Sequence, residues 1–422
     1  LHFTDRRQRQ MCIRDSAVLP QMQGDLSAGL DQIAWVVTAS VVAAAIAIPP
    51  TSWITARFGR RRVMVTGMIL FSVASLMVGM QDTLGGVVFW RIVSALCAAP
   101  MTALSQSVTL DTFSEDQRGP AFAFWAIGIL SGWVFAPAVG AYVAEIAGWR
   151  AIFFLLSPLA LLGALTASFT PETERTGDKA FDWFGFLSLS LGLGCFLLVL
   201  NRGQRLDWYE SPEIVFFSML GGLALYVFAV HTWFSERPLL NFRIFIDRNY
   251  SLGLAVVSTY AALSLAPLVL LPAMLEELRG LELFTTGVAL IPRGLAQIVG
   301  LLVISALVNR ADPRVYIMGG FLLFAAASYE MAGFNLDIGL ADLLWPNLVQ
   351  GFAMAFIWAP VATVVYGNLA PALRTDAVTF SALVFSLSSS IGVSVSVTIL
   401  GRSYQTSHEA VSYTHLTLPT IR

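Results

Sequence analysis

Charge is the property that this sequence lacks most clearly. Only 12% of its 422 residues are Asp, Glu, Lys or Arg, whereas soluble domains carry about 25%. The formal net charge is −2, which gives no basis for binding nucleic acid. Hydrophobic residues, by contrast, make up 56% of the chain, and the mean hydropathy is +0.71. This composition excludes an ordinary soluble domain.

Cysteine and histidine are scarce as well, with three and four residues. Two cysteines lie inside apolar runs and the third stands alone, so no disulfide framework and no metal-ligand spacing follow. No cofactor is indicated either. A membrane-embedded enzyme would need clustered His, Asp, Glu or Cys side chains near an interface, and it is therefore a remote alternative.

Long apolar runs are what the sequence has in abundance. Each is about 20 residues long, which is enough to cross a hydrocarbon core of about 30 Å as a helix. We therefore predict an all-α polytopic membrane protein with twelve visible spans. They cover residues 31–53, 63–80, 87–108, 120–143, 151–171, 184–200, 213–233, 250–272, 284–307, 315–333, 342–366 and 377–400.

Lysine and arginine are distributed unevenly between the connecting loops. One alternate set of loops holds 13 of them and the other set holds 5. The positive-inside rule places the richer set in the cytoplasm. Its richest member is the loop 54–62, which contains four arginines.

Part of this arginine loop recurs later in the chain. The pattern S-x-[IL]-x-x-R-x-x-x-R begins at Ser52 and again at Ser305, 253 residues later. A second pair of similar segments begins at Arg91 and Asn347, 256 residues apart. Two matches at nearly the same offset indicate duplicated halves, as in transporters whose halves rock about a central site.

Three segments resemble signatures of the major facilitator superfamily. The loop SWITARFGRRR is similar to the signature between its spans 2 and 3, although Ser52 and Ala56 replace the usual glycine and aspartate. The segment FWRIVSALCAAP is similar to the span-4 signature, and GWVFAPAVGA to the antiporter signature of span 5. The matching positions are Arg57, Gly59, Arg60, Arg61 and Arg62 in the first, Arg91 in the second, and Gly132, Pro137 and Gly140 in the third, where Ala136 stands in for a glycine.

Within this superfamily the chain most resembles the fourteen-span drug:proton antiporters of the EmrB/QacA kind. Eight spans separate the two arginine loops, where a twelve-span member has six, so two extra helices lie between two pseudo-symmetric helix bundles. The resulting scheme is a fragment that lacks the first and last spans. Its parts are an artefactual segment 1–16, an N-terminal bundle 17–171, a linker with the extra spans 172–249, a C-terminal bundle 250–410 and an artefactual segment 411–422.

The resemblance implies roles for the charged positions. Arg91 would belong to the proton-coupling machinery, and the alternative is an arginine that snorkels to the outer interface. The arginine loop would hold the two halves in one state, with Asp111 and Glu115 as possible partners, or it would only anchor the topology. No mid-membrane carboxylate is found for proton coupling, and we expect that acid on a preceding span.

Two further groups are candidate functional positions. Gly132, Ala136 and Gly140 recur every four residues, which favours a tight helix seam against leak from the cytoplasmic side, and Pro137 favours a kink. Ordinary close contact between helices is the alternative. Polar and aromatic side chains are candidates for a substrate cavity, with lipid-facing aromatics and interhelical hydrogen bonds as the alternative. They are Trp125, with Phe124 beside it, and Asn347, Gln350, Phe356 and Trp358.

The function expected from the resemblance is export of hydrophobic or amphipathic toxic compounds across the bacterial inner membrane, in exchange for protons. An exporter of one metabolite or siderophore on the same scaffold is the alternative. Members of this kind often work with a periplasmic adaptor protein of the EmrA kind, so such a partner is also expected, beside the lipid bilayer.

Overall fold

The computed structural model describes residues 19–113, 115–170, 172, 180–235, 239–240, 242–275, 280–281, 283–307, 310–335, 338–339, 341–367 and 371–416. Within these ranges the regular elements are helices, and no strand occurs. In chain order the α-helices are α1 (Leu19–Asp25), α2 (Leu30–Ala47), α3 (Thr51–Phe58), α4 (Arg60–Gly79), α5 (Leu84–Thr112), α6 (Glu115–Ala147), α7 (Trp149–Ala167), α8 (Trp183–Arg202), α9 (Pro212–Phe234), α10 (Arg248–Ala273), α11 (Leu283–Leu307), α12 (Pro313–Ala332), α13 (Leu344–Gly367) and α14 (Pro371–Leu416).

The predicted membrane spans all fall on these helices. Ten helices in the described ranges are long and apolar enough to cross a membrane, and α2 with α3 makes an eleventh if the bent pair counts as one span. The remaining predicted span, 120–143, lies within the 33-residue helix α6. The all-α polytopic class is therefore confirmed.

The end of the first predicted span is wrong. Instead of one helix over 31–53, α2 and α3 meet at an angle of 56° around Pro49 and Pro50. Proline lacks the N–H group that continues a helix, and its ring displaces the preceding turn. The arginine segment is consequently not an extended loop, because α3 continues to Phe58 and α4 begins at Arg60.

The helices form two bundles. In the first, α2 packs against α5, α5 against α4, and α4 against α7, and α10 to α14 form the second. Helix α6 contacts α5 and α7, but its most extensive contact is with α11 of the second bundle. Helices α8 and α9 pack against each other, and Gly192 lets them approach because a Cβ there would lie 2.6 Å from Leu225 Cδ2. Helix α8 also contacts α2 of the first bundle and α14 of the second. The prediction of two extra helices between two bundles is thus confirmed.

The two bundles meet mainly at the end that carries the arginine segment, here called the arginine-rich side. Three buried apolar clusters in that half contain residues of both bundles, for example Ile48 with Leu383 and Ala126 with Leu301. Ala103 of α5 likewise lies in the large cluster of the second bundle.

The contacts differ at the other end of the molecule, here called the opposite side. The cluster around Trp149 and Val87 belongs to the first bundle alone, and the cluster around Leu271 and Leu343 belongs to the second alone. As far as the described residues go, buried apolar clusters join the bundles on the arginine-rich side, and none joins them on the opposite side.

Candidate functional site

The arginine segment folds into a sharp helix junction. Gly59 ends α3 with φ of 88°, a backbone conformation that residues with a Cβ rarely adopt. Next to it Arg60 is buried, and its Nη2 atom lies 2.8 Å from Asp111 Oδ2 at the end of α5. Arg57 lies over the Trp53 ring, with its Cζ atom 5.6 Å from the ring centre. Arg61 and Arg62 are exposed.

Asp111, one of the two partners expected for the arginines, therefore pairs with Arg60, whereas the side chain of Glu115 lies outside the described residues. Beside this junction the Ser52 hydroxyl lies 3.3 Å from that of Thr379. That contact joins α3 to α14, and so it links the two bundles directly at the arginine-rich side. Whether the segment holds the halves in one state stays a prediction.

Arg91 lies two turns into α5, in the half of the helix towards the opposite side. Its guanidinium faces the Phe153 ring of α7, 5.7 Å from the ring centre. The buried Nε atom has no hydrogen-bond partner, and no described carboxylate pairs with this side chain. Buried unpaired charge is costly in a membrane, so this arrangement fits a group whose partner changes. The proton-coupling role of Arg91 stays a prediction.

Among the described residues, the α6 positions expected to form a seam show no close contact in this conformation. Gly132 and Gly140 have open space beside them, since a Cβ at either position would meet nothing within 4 Å. Ala136 is exposed, and the side chain of Pro137 lies outside the described residues. These positions lie in the half of α6 towards the opposite side, and the tight helix seam stays a prediction.

Trp125 comes from α6 and occupies the boundary between the bundles. Its Nε1 atom donates a hydrogen bond to Ser105 Oγ of α5 at 3.0 Å. Its ring packs against the shared cluster that includes Ala355 and Ala359 of the second bundle. Trp358 packs against the same cluster from α13, so the two tryptophans line one region from opposite bundles. Phe124 is 68% exposed and does not share this region.

The polar candidates Asn347 and Gln350 are fully buried within the second bundle. The Nδ2 atom of Asn347 donates to Leu343 O at 2.9 Å, and Nε2 of Gln350 donates to Ser328 Oγ of α12 at 3.3 Å. Their side-chain oxygens have no partner. Gln350 therefore faces α12 rather than the first bundle, which favours the alternative of interhelical hydrogen bonding.

The two aromatic candidates of α13 point to different neighbours. Phe356 contacts Phe352 and the Tyr316 ring of α12, at ring-centre distances of 4.7 and 6.2 Å. Trp358 instead contacts Tyr260 of α10 and Phe385 of α14, each at 5.4 Å. Only Trp358 joins an aromatic group to which three helices of the second bundle contribute.

The sequence analysis assigned no role to three buried residues at or near the aromatic group of Trp358. They are Tyr260, Arg293 and Gln297. Arg293 is a charged residue inside a predicted span, so the rule that singled out Arg91 could have found it. The other two give no such signal, because a tyrosine or glutamine in an apolar run is compatible with many surroundings. Within the described ranges, no group of three or more His, Cys, Asp or Glu side chains could hold a metal ion.

The sequence profile of the Major Facilitator Superfamily matches residues 16–393 of this chain. The chain belongs to this superfamily. Multidrug export protein EmrB of Escherichia coli K12 is 28% identical over 414 residues, which cover 96% of this chain and 80% of that protein. EmrB of Haemophilus influenzae is 29% identical over 415 residues, with the same coverage. The Fatty acid resistance protein FarB of Neisseria gonorrhoeae is 27% identical over 389 residues, which cover 92% and 77%.

Solved structures show the same fold at low sequence identity. The proton:xylose symporter XylE, bound to 6-bromo-6-deoxy-D-glucose, superposes with a TM-score of 0.63 at 14% identity, covering 95% of this chain and 87% of XylE. The human organic anion transporter TETRAN gives a TM-score of 0.62 at 16% identity, covering 91% and 83%. The major facilitator fold expected from the signatures is thus confirmed, and this superfamily member is a multi-pass membrane protein.

Proposed function

We propose that this superfamily member exports hydrophobic or amphipathic toxic compounds across the bacterial inner membrane in exchange for protons. The observation that carries the proposal is the pair of bundles that touch on one side and separate on the other. This arrangement is one of the two end states that a transporter needs if its halves rock around a central site.

The names of the relatives support the outward direction of transport and the class of compound that is transported. Two of them are called multidrug export proteins and one a fatty acid resistance protein. Export of chemically varied amphipathic molecules needs a mainly apolar wall with few polar groups. Trp125 and Trp358, which line one region from opposite bundles, supply such a wall. A transporter, rather than an enzyme, is the class that this fold supports.

Arg91 supports the proton-coupled form of the proposal. A guanidinium whose buried Nε atom has no partner favours a nearby acid that is ionised in one state and protonated in the other. The coupling carboxylate expected on a preceding span stays a prediction. The periplasmic adaptor of the EmrA kind, which the resemblance implies, also stays a prediction.

Transport by the full-length protein in everted membrane vesicles tests this function. We expect ethidium to accumulate when the lumen is acidic and to leave when an uncoupler removes the pH gradient. Arg91→Gln should lower the initial rate by about ten-fold or more, since the coupling charge is lost. Arg248→Gln, which changes an exposed arginine outside the signature segments, is the matched control, and it should retain most of the rate.

A panel of chemically different drugs separates this function from export of one metabolite. If no compound of the panel shows uptake that depends on the gradient, the multidrug proposal is wrong. If uptake is unchanged after the uncoupler is added, drug export remains supported, but the exchange for protons is contradicted.

A further inference from the structure

Arg293 lies in the middle of α11 and is only 6% exposed. The helix backbones meet closely at this level, because a Cβ on Gly351 of α13 would lie 1.8 Å from Arg293 O. With about ten helical residues between Arg293 and the start of α11, its depth is on the order of 15 Å, near the middle of a bilayer. A cation is therefore fixed at mid-membrane on a closely packed pair of helices.

The contacts of Arg293 do not neutralise this charge. Its Nη2 atom donates to Ser264 O at 2.7 Å and lies 3.1 Å from Met354 Sδ. Neither partner is charged, and none of the ion pairs formed by described residues includes Arg293. A guanidinium has five N–H donors, and both of these contacts use the same nitrogen. The group therefore keeps donors and a full charge for another partner.

A polar side chain with an unused donor lies beside it. Gln297 is one helical turn further along α11, is 4% exposed, and has a buried Nε2 atom without a hydrogen-bond partner. The Tyr260 hydroxyl is a loose hydrogen-bond partner of the Gln297 side chain and also interacts with the Arg293 guanidinium. Burying an amide donor without a well-formed hydrogen bond costs about 1–3 kcal/mol, so an acceptor placed here would stabilise the Gln297 amide as well as the Arg293 charge.

An apolar wall adjoins these donors. The Tyr260 ring contacts Trp358 at 5.4 Å and Phe385 at 6.4 Å between ring centres. These rings come from α10, α13 and α14, so three helices supply the aromatic wall that begins at Tyr260. A cation and an amide donor at one end of an aromatic wall match a ligand with a small anionic head and an apolar body.

We propose that Arg293 and Gln297 form a subsite for the carboxylate of an anionic amphipathic cargo, whose apolar body packs against Tyr260, Trp358 and Phe385. This inference rests on the proposed export function and names one class of its substrates. The carboxylate supplies the negative charge that the described protein residues do not give to Arg293. Neutral or cationic cargo uses the aromatic wall without this pair.

Binding of two amphiphiles with the same tail and opposite head charge tests the subsite. Decanoate and decyltrimethylammonium are titrated below their micellar concentrations into the full-length protein in nanodiscs. Arg293→Gln should weaken decanoate binding about ten-fold, which corresponds to about 1.4 kcal/mol, while decyltrimethylammonium binding stays the same or improves. Arg293→Lys, which keeps the charge, should retain part of the decanoate affinity. Arg248→Gln, at an exposed position outside this group, is the matched control and should change neither.

The outcomes separate the subsite from the export function. An equal loss for both amphiphiles, or no loss for either, would overturn the subsite and leave the function intact. If the wild-type protein binds neither amphiphile, the proposed function fails, and the subsite fails with it. If Arg293→Gln does not fold, Gln297→Leu tests the subsite instead. This variant should weaken the binding of decanoate about three-fold without affecting the binding of decyltrimethylammonium. Equal effects of Gln297→Leu on both ligands would contradict the subsite.

Discussion

At the scale of single residues, arginine is the side chain whose surroundings differ most within this chain. Arg60 is buried against the carboxylate of Asp111, Arg91 faces an aromatic ring with its Nε atom unpartnered, and Arg293 meets a carbonyl and a thioether. Because an arginine stays charged, these three surroundings call for different partners. Arg60 has its anion in the protein, whereas the surroundings of Arg91 and Arg293 fit anions that bind in one state and leave in another.

The pair between Arg60 and Asp111 gives a prediction about stability. Asp111→Asn should lower the free energy of unfolding by about 1–3 kcal/mol, because it leaves a buried guanidinium without its anion. Thermal unfolding in nanodiscs measures the change. Asp82→Asn is the matched control, since the Asp82 side chain is 90% exposed in its pair with Arg150, and its effect should stay within about 0.5 kcal/mol.

A double-mutant cycle shows whether the effect belongs to the pair. Adding Arg60→Gln to Asp111→Asn should recover part of the lost stability, because the uncompensated charge is then removed as well. Additive losses would mean that Arg60 and Asp111 contribute independently. The sequence alone does not separate Arg60 from the other arginines of its segment, since burial depends on the helix junction at Gly59.

At the scale of helices, glycines fall into two groups that the sequence does not distinguish. Gly351 lets α11 and α13 touch, and Gly392 lets α14 touch α10, since a Cβ there would lie 1.9 Å from Ala262 O. Gly132 and Gly140 of α6 have no atom in that position. The first group holds one bundle together, and the second is open in this conformation.

Alanine substitutions separate these two groups. Gly351→Ala should lower the melting temperature by several degrees, because an added methyl group would overlap the backbone of α11 and overpacking costs about 1–3 kcal/mol. Gly132→Ala, the matched control on α6, should leave the melting temperature unchanged. If Gly132 closes against another helix in the alternate state, Gly132→Ala will still slow transport. Unchanged transport would remove the α6 seam from the mechanism.

Sequence periodicity and composition predicted most of the helices but few of their neighbours. Apolar runs located the spans, because the bilayer requires about 20 apolar residues whatever the fold. The break at Pro49 and Pro50 was missed, since two prolines inside an apolar run do not interrupt its hydropathy. Spacing correctly placed Gly132, Ala136 and Gly140 on one face, yet a face does not reveal which helix covers it. For the same reason Gln350 and Trp358, on one predicted helix, proved to face different helices.

At the scale of the whole molecule, the contacts between bundles define a conformational state. Ser52 with Thr379, and the shared clusters around Ile48 and Ala126, join the bundles at the arginine-rich side. If this side faces the cytoplasm, as the lysine and arginine counts predict, the structure is closed to the cytoplasm and open outwards. An exporter in this state has exposed its site to the outside and must next close there. The open face of α6 and the unpaired charge of Arg293 both fit a site after release of cargo.

Cross-linking the bundles at the arginine-rich side tests this assignment. In a protein without native cysteines, Ser52→Cys with Thr379→Cys should form a disulfide on oxidation, because the two hydroxyls are 3.3 Å apart. The bond would hold that side closed, so transport should fall about ten-fold or more and recover with a reductant. Each single cysteine variant, treated with the same oxidant, should keep its rate. Full cross-linking with undiminished transport would show that this side never needs to open, and rocking of the two bundles about a central site would then be excluded.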